Sequence, residues 1–262
     1  MNLQLNDQIA LITGSSKGIG FGIAKEFLAE GAVTILTGRN VNDLNDASTT
    51  LSKKYKDELI RDVNGDLNDN EVLKTLFDTI SNEFGRLDHL VCNIGSGKPV
   101  SPLQENDTEF LRMLNINLIN SVKVVNKVLP LIENSTLDVN NNSSITFISS
   151  ICGMETLGCP IAYASAKSAL ISYAKNLSFS LGKKGIRVNV VSPGNIMFPG
   201  STWEKKMSED PDKVNLMLNS EVPLGCLGEV EDVANLIVFL ASKRAKFVNG
   251  ANFVVDGGQT RA

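Results

Sequence analysis

The stretch Ile9-Ala10-Leu11-Ile12-Thr13-Gly14-Ser15-Ser16-Lys17-Gly18-Ile19-Gly20 decides how this 262-residue chain is read. Ile9 to Ile12 has no polar side chain, so it predicts a strand covered on both faces, as strands of a parallel sheet are. The glycines after it permit a tight turn, and from Ile19 to Glu30 apolar residues recur at helical spacing. A strand, a glycine turn and a helix in that order suit a phosphate. The glycines let the backbone come close, and the helix N-terminus presents unpaired amides and the positive end of its dipole. A glycine cluster alone is a weak signal; at the first strand of an alternating chain it becomes a good one.

The alternation continues outward from that stretch. Ile9 to Thr13, Val33 to Thr37, Leu87 to Cys92, Ser144 to Ser149, Ile186 to Ser192 and Asn252 to Val255 predict strands, with a weaker one over Leu59 to Asn64. Ile19 to Glu30, Asn70 to Phe84, Ala162 to Leu181 and Val230 to Leu240 predict helices packed on a sheet. Strands and helices in strict alternation imply parallel pairing through right-handed crossovers. The expected fold class is α/β: one Rossmann domain over residues 1–262, a doubly wound parallel sheet with helices on both faces. Two regions break the rhythm. Glu133 to Ser144 is rich in Asn and Ser and predicts an exposed loop. Phe198 to Pro223 is a partly helical insertion holding the only tryptophan, Trp203, and its length suggests a lid over the substrate.

Composition removes several classes of function. With 42% hydrophobic and 21% charged residues the chain reads as globular, and a formal net charge of −4 gives no electrostatic case for nucleic acid or an anionic membrane. No apolar run is long enough to span a bilayer, and the first seven residues lack the basic start and apolar stretch of a secretory signal, so a cytoplasmic location is expected. Cys92, Cys152, Cys159 and Cys226 form no CxxC pair and have no histidine nearby, so no metal site is expected and the thiols read as reduced.

The spacing of the first motif is GxxxGxG, and Thr13-Gly14-xxx-Gly18-Ile19-Gly20 resembles the cofactor fingerprint of short-chain dehydrogenases/reductases. The resemblance runs over essentially the whole chain. Asp66-Leu67, Asn93-Ile94-Gly95, Asn117-Leu118 ahead of Val128-Leu129-Pro130, Ser149-Ser150, Tyr163-xxx-Lys167, Pro193-Gly194 and Val255-Asp256-Gly257-Gly258 follow in the family's order. Cys92 and Ile94 depart from its Asn-Asn-Ala-Gly motif, and the lost amide removes a hydrogen bond that braces the strand. The overall pattern is similar to 3-oxoacyl-(acyl-carrier-protein) reductases and their relatives acting on sugars, steroids or small ketones.

The resemblance implies an NAD(P)-dependent oxidoreductase that interconverts a ketone and a secondary alcohol. Gly14, Ser16, Lys17, Gly18, Ile19 and Gly20 would hold the pyrophosphate side of the dinucleotide. Asp66 and Leu67 would meet the adenine, Asn93, Ile94 and Gly95 would border the cofactor, and Pro193, Gly194 and Ile196 would lie at its nicotinamide end. The second strand ends Thr37-Gly38-Arg39, with no acid for a ribose 2′-hydroxyl and an arginine suited to a 2′-phosphate. With Lys17 as a second cation, NADP(H) is expected over NAD(H).

Tyr163 and Lys167 are four residues apart in a predicted helix and share a face. A free tyrosine titrates near ~10, and a nearby ammonium favours the phenolate. The resemblance makes Tyr163 the acid/base and Lys167 the group holding the nicotinamide ribose. Ser150 would bind the substrate oxygen, and Asn117 would hold a water that links Lys167 to solvent. A lone Tyr-xxx-Lys pair is usually an ordinary helix surface; the four residues in order are what make the case. His89, the only histidine, reads as structural, and no GxSxG elbow is present for a hydrolase. The alternative from another class is a dinucleotide-binding regulator without turnover. Partners are expected to be a small carbonyl or alcohol substrate, free or bound to an acyl carrier, and other copies of the chain in a homotetramer.

Overall fold

The computed structural model describes residues 3–96, 100–138 and 142–261. Seven parallel strands form the main sheet: β1 (Ile9–Ile12), β2 (Val33–Gly38), β3 (Ile60–Asn64), β4 (His89–Cys92), β5 (Ser144–Ile148), β6 (Arg187–Pro193) and β9 (Asn252–Val255). Their spatial order is β3-β2-β1-β4-β5-β6-β9, so the winding reverses between β1 and β4. That reversal opens a crevice at the carboxyl ends of the strands, where open α/β sheets bind ligands. Two short strands, β7 (Ile196–Met197) and β8 (Gly228–Glu229), pair separately beside it.

Each expected strand forms within a residue or two of its predicted bounds, the weak one over Leu59 to Asn64 included. β1 shows why. Ile9 and Leu11 pack into one core with Leu76, Ile80, Val124 and Leu170; Ala10 and Ile12 pack into the other with Ile23, Phe27, Val233 and Ile237. Alternate residues of an apolar strand thus serve opposite faces. The first core lies under α3 (Asn70–Phe84), α5 (Asn120–Ser135) and α6 (Ile161–Gly182); the second lies under α1 (Gly18–Ala29) and α9 (Val230–Ala241).

Three further helices were not expected from the spacing of apolar residues: α2 (Val41–Ser52), α4 (Asp107–Leu114) and α5. In α2 only Leu44, Ala47 and Leu51 are buried, and the helix starts where Asn40 accepts from the Asn42 and Asp43 amides. A π-helical turn, Asn115–Ile119, joins α4 to α5. The expected loop from Glu133 to Ser144 begins later, because α5 continues to Ser135; residues 139–141 lie outside the described residues. The insertion folds as α7 (Thr202–Glu209) and α8 (Pro211–Glu221), with Pro211 opening α8 and Asp210 capping it. Trp203, Met207 and Met217 pack on Val214, Leu218 and Val222 in a cluster of the insertion's own, while Leu216 is 71% exposed.

Candidate active site

The glycine turn lies at the end of β1. Gly14 and Gly18 take φ of +64° and +59°, which side chains disfavour. A Cβ at Gly20 would come within 2.3 Å of the Gly14 carbonyl oxygen, so this position admits only glycine. Side chains from the ends of β2 and β4 and from the turn itself hold it in place. Thr37 accepts from the Gly14 amide at 3.0 Å, Ser15 donates to the Ile12 carbonyl at 2.8 Å, and Asn93 donates to the Thr13 and Gly14 carbonyls at 3.1 and 3.0 Å. Thr13 in turn accepts from the Asn93 amide at 2.9 Å. Asn93, at the end of β4, therefore ties the crevice together. Cys92 lies buried behind it, and burial pushes its thiol up.

α1 starts directly after the turn, and Lys17 at its N-cap provides no side-chain acceptor. Its first amides are thus available to an anion. The uncapped helix start, the glycine-only approach at Gly20 and the open turn suit a dinucleotide pyrophosphate. At the end of β2, Gly38 packs beside Ser16, and Arg39 lies near the Asp66 carboxylate at 3.9 Å, both well exposed. Lys17 pairs with Asp43 at 2.7 Å. Leu67 is buried, and Gly194 faces Asp256 so closely that a Cβ would lie 2.7 Å from the Asp256 Cβ. Ile196 pairs with Gly228.

Ser150, Tyr163, Lys167 and Asn117 converge beside this crevice. Ser150 caps a 3₁₀ turn, Ile151–Gly153, at the end of β5, its Oγ accepting from the Cys152 amide at 3.2 Å, and its side chain lies near Tyr163 on α6. Lys167, one turn further along α6, is only 4% exposed and donates to the Ile148 carbonyl at 2.9 Å. Burial lowers Lys167 to about 8. Burial also raises Tyr163 to about 12; the neighbouring Ser150 hydroxyl works against this rise, and the nearby Cys152 and Cys159 thiols add to it. Sequence reasoning placed the lysine ammonium as the group that lowers the tyrosine. In the folded protein desolvation outweighs it, because Lys167 is engaged with the backbone and stands 5.9 Å from the ring centroid.

Asn117 is fully buried in the π-helical turn. Its amide donates to Met113 and Ser96 carbonyls at 3.1 and 3.3 Å, and its Oδ1 accepts from the Ser96 amide at 3.0 Å. Gly95 separates it from Lys167: a Cβ there would stand 2.9 Å from Asn117 Oδ1 and 3.1 Å from Lys167 Nζ. Ile94 packs beside the glycine turn.

Sequence reasoning missed Glu105 and did not foresee the contact that Phe198, at the start of the expected lid, makes. Glu105 accepts from the Ile161 and Ala162 amides at 3.2 and 2.7 Å, capping the helix that carries Tyr163 and Lys167. Pro160 at the N-cap has no side-chain acceptor, which was the available hint. Phe198 lays its ring against Gly18, where a Cβ would come within 2.7 Å of it. Behind Phe198 lies a cavity of about 710 Å³ between α1, α7, α8 and the start of α9, and none of Ser150, Tyr163 and Lys167 lines it. His89 is a core residue, as expected: its ring bonds Ser144 and Gln8, and burial lowers it to about 4.

Known proteins resemble this chain in sequence and share its architecture. A family profile described as Enoyl-(Acyl carrier protein) reductase matches residues 14–260. The chain is 32% identical over 260 residues to 3alpha-hydroxysteroid dehydrogenase of Mediterraneibacter gnavus, covering 98% of each chain. It is 30% identical over 254 residues to 3-oxoacyl-(acyl-carrier-protein) reductase of Haemophilus influenzae, covering 97% of this chain and 98% of the relative. The crystal structure of L-sorbose reductase from Gluconobacter frateurii, complexed with NADPH and L-sorbose, superimposes with a TM-score of 0.91 at 28% identity, covering 100% of both chains. With a single-domain Rossmann fold and relatives of this kind along its full length, the chain belongs to the short-chain dehydrogenase/reductase family and is an NAD(P)-dependent oxidoreductase acting on CH–OH groups.

Proposed function

We propose that the chain is an NADP(H)-dependent reductase that interconverts a ketone and a secondary alcohol, with Tyr163 as its acid/base. The observation that carries this reading is the convergence of Ser150, at the end of β5, with Tyr163 and the buried Lys167, which share one face of α6, the Lys167 Nζ standing 5.9 Å from the Tyr163 ring centroid. Two hydroxyls held together in this way can both donate to one carbonyl oxygen where negative charge accumulates. When bound, the nicotinamide supplies or accepts the hydride. Tyr163 then gives its proton to the forming alkoxide in the reductive direction. Lys167, cationic below about 8, favours the phenolate left behind and is placed to hold ribose hydroxyls. Gly95 leaves room beside Lys167 and Asn117 for a water, through which Tyr163 regains its proton.

Arg39 and Lys17 support a preference for NADP(H): both are exposed cations at the rim where a 2′-phosphate would lie. Their ion pairs with Asp66 and Asp43 must open. Exposed pairs of this kind are worth about 0–1 kcal/mol, less than the ~1.5–3 kcal/mol of a hydrogen bond to a charged group. The substrate is a small carbonyl compound; a 3-oxoacyl thioester on an acyl carrier and a keto-sugar are the two readings that the relatives favour. Phe198 to Pro223 acts as a lid in this account, with Phe198 and Met197 at its root next to the glycine turn. A homotetramer fits the outer face of α6, where Ile161, Ser168, Ser172 and Phe179 are exposed; Ala166 and Ala174 of the same helix pack inward. The experiment is NADPH oxidation by the purified protein over a panel of 3-oxoacyl thioesters, keto-sugars and steroid ketones. Turnover of at least one class is the expected result, and cofactor binding with no turnover on any would overturn the reading.

A further inference from the structure

The helix that carries Tyr163 and Lys167 is held unevenly along its length. Around Lys167 it is tied from several sides. The Ser149 hydroxyl donates to the Lys167 carbonyl at 3.0 Å, and the Ser168 hydroxyl donates to the Gly153 carbonyl at 2.6 Å. Gly153 approaches so closely that a Cβ there would stand 2.8 Å from the Lys167 carbonyl carbon. The first turn of α6 lacks these ties. Its leading amides have no partner within the helix, and Pro160 at the N-cap offers no side-chain acceptor. Among the described residues, the side chain that meets them is the partly buried Glu105, which accepts from the Ala162 amide at 2.7 Å and from the Ile161 amide at 3.2 Å. Tyr163 is the next residue. Glu105 itself stands just ahead of α4, whose start Asn106 caps by accepting from the Glu109 amide at 2.9 Å. α4 runs directly into the π-helical turn of Asn117, which faces Lys167 across Gly95. One short stretch of chain thus meets α6 twice, through Glu105 beside Tyr163 and through Asn117 beside Lys167.

We propose that Glu105 is a positioning residue: its carboxylate fixes the first turn of α6, and through that turn it sets where the Tyr163 hydroxyl stands relative to Ser150. The effect on turnover rests on the proposed role of Tyr163 as acid/base; the hold on the turn does not. A carboxylate suits the task, because its two oxygens take two neighbouring amides at once and its charge meets the positive end of the helix dipole. A Ser, Thr, Asp or Asn at the N-cap would satisfy such amides from the helix's own chain. Here the acceptor comes from another segment, so α4, and not the loop that leads into α6, sets the place of the turn. Placement of this kind matters to rate, since a misplacement of about 1 Å in a positioned group can cost about 10²-fold. Lys167 keeps its own ties to Ser149 and to the Ile148 carbonyl, so loss of Glu105 should disturb Tyr163 and spare Lys167. That asymmetry distinguishes positioning from a general contribution to stability.

The test compares the full-length wild type with Glu105→Ala and Glu105→Gln. Native-state hydrogen exchange reads the hold directly: in Glu105→Ala the Ile161 and Ala162 amides should lose their protection, while the amides from Lys167 onward keep theirs. On a substrate found by the carbonyl panel, kcat of Glu105→Ala should fall about tenfold or more, with NADPH affinity unchanged. Glu105→Gln keeps one oxygen that can accept from Ala162 and should recover most of that loss. In a Tyr163→Phe background Glu105→Ala should cost nothing further, because the hydroxyl it positions is gone. Asp107→Asn, which removes an exposed charge two residues away, should behave as the wild type does. Unchanged exchange at Ile161 and Ala162 would overturn the hold, and so would loss of protection along the whole of α6. Lost protection at the first turn with unchanged kcat would overturn the positioning role, as would an equal loss of kcat in the Tyr163→Phe background. If Glu105→Ala does not fold, Glu105→Gln is read in the same way, since it leaves one of the two amides without an acceptor. A wild type that turns over no carbonyl substrate would count against the proposed function, and the exchange data alone would then decide whether Glu105 holds the turn.

Discussion

Lys167 stands 5.9 Å from the centroid of the Tyr163 ring while its ammonium donates to the Ile148 carbonyl at 2.9 Å. Both side chains are driven toward their neutral forms by burial, the lysine to about 8 and the tyrosine to about 12. The pair is thus built with its charge held back. A cation buried near one carbonyl raises the energy of the folded protein, and the arrangement makes sense only if the site uses that charge.

That buried cation has a measurable signature in stability. Lys167 is lowered from 10.5 to about 8, so between these values the unfolded chain holds more protons than the folded one. Stability attributable to Lys167 therefore rises with pH across that window and is lost as pH falls through about 8. Urea midpoints of the wild type minus those of Lys167→Met should climb from about pH 8 to pH 10.5. Parallel curves over the window would show that the lysine is not desolvated in this way.

Gly95 keeps a gap between Asn117 and Lys167, and alanine there would press on both, at 2.9 and 3.1 Å. Gly95→Ala should lower kcat by about 10²-fold, because small displacements of positioned groups are costly. The thermal unfolding midpoint should fall modestly as well, since the Cβ presses first on Asn117 Oδ1, which is buried and hydrogen-bonded. Unchanged kcat in a folded variant would remove the gap from the mechanism.

Arg39→Asp should weaken NADPH binding by about 10–100-fold, the range of one lost charge-assisted hydrogen bond plus like-charge repulsion. NADH binding should change far less, so the preference narrows or reverses. Isothermal titration of both cofactors to both proteins checks this; equal NADPH and NADH affinities in the wild type would leave the two cations without that role.

Much of this was legible in the sequence, and the failures have physical causes. β1 could be read because Ile9 to Ile12 is apolar on both faces, and α3 because its apolar stripe runs between Asp69 and the left-handed Gly85. α2 was hidden by Asn, Asp, Ser and Thr, which favour turns over helix interiors, and α5 by Pro130 within it. His89 was read as structural and is fully buried. The motif residues Ser150, Tyr163 and Lys167 do meet, but their charge states depend on burial, which spacing does not encode. The approach of Phe198 to Gly18 and of Glu105 to the start of α6 depends on loops folding back, and no local pattern reports such contacts.

The central claim is that the Tyr163 hydroxyl delivers the proton, and Tyr163→Phe tests it most directly by keeping the ring and removing that hydroxyl. NADPH should still bind the variant with wild-type affinity, because the ring adjoining Lys167 remains in place. Turnover on a confirmed carbonyl substrate should fall by a factor on the order of 10² or more. Turnover at the wild-type rate, with NADPH binding intact, would contradict the account.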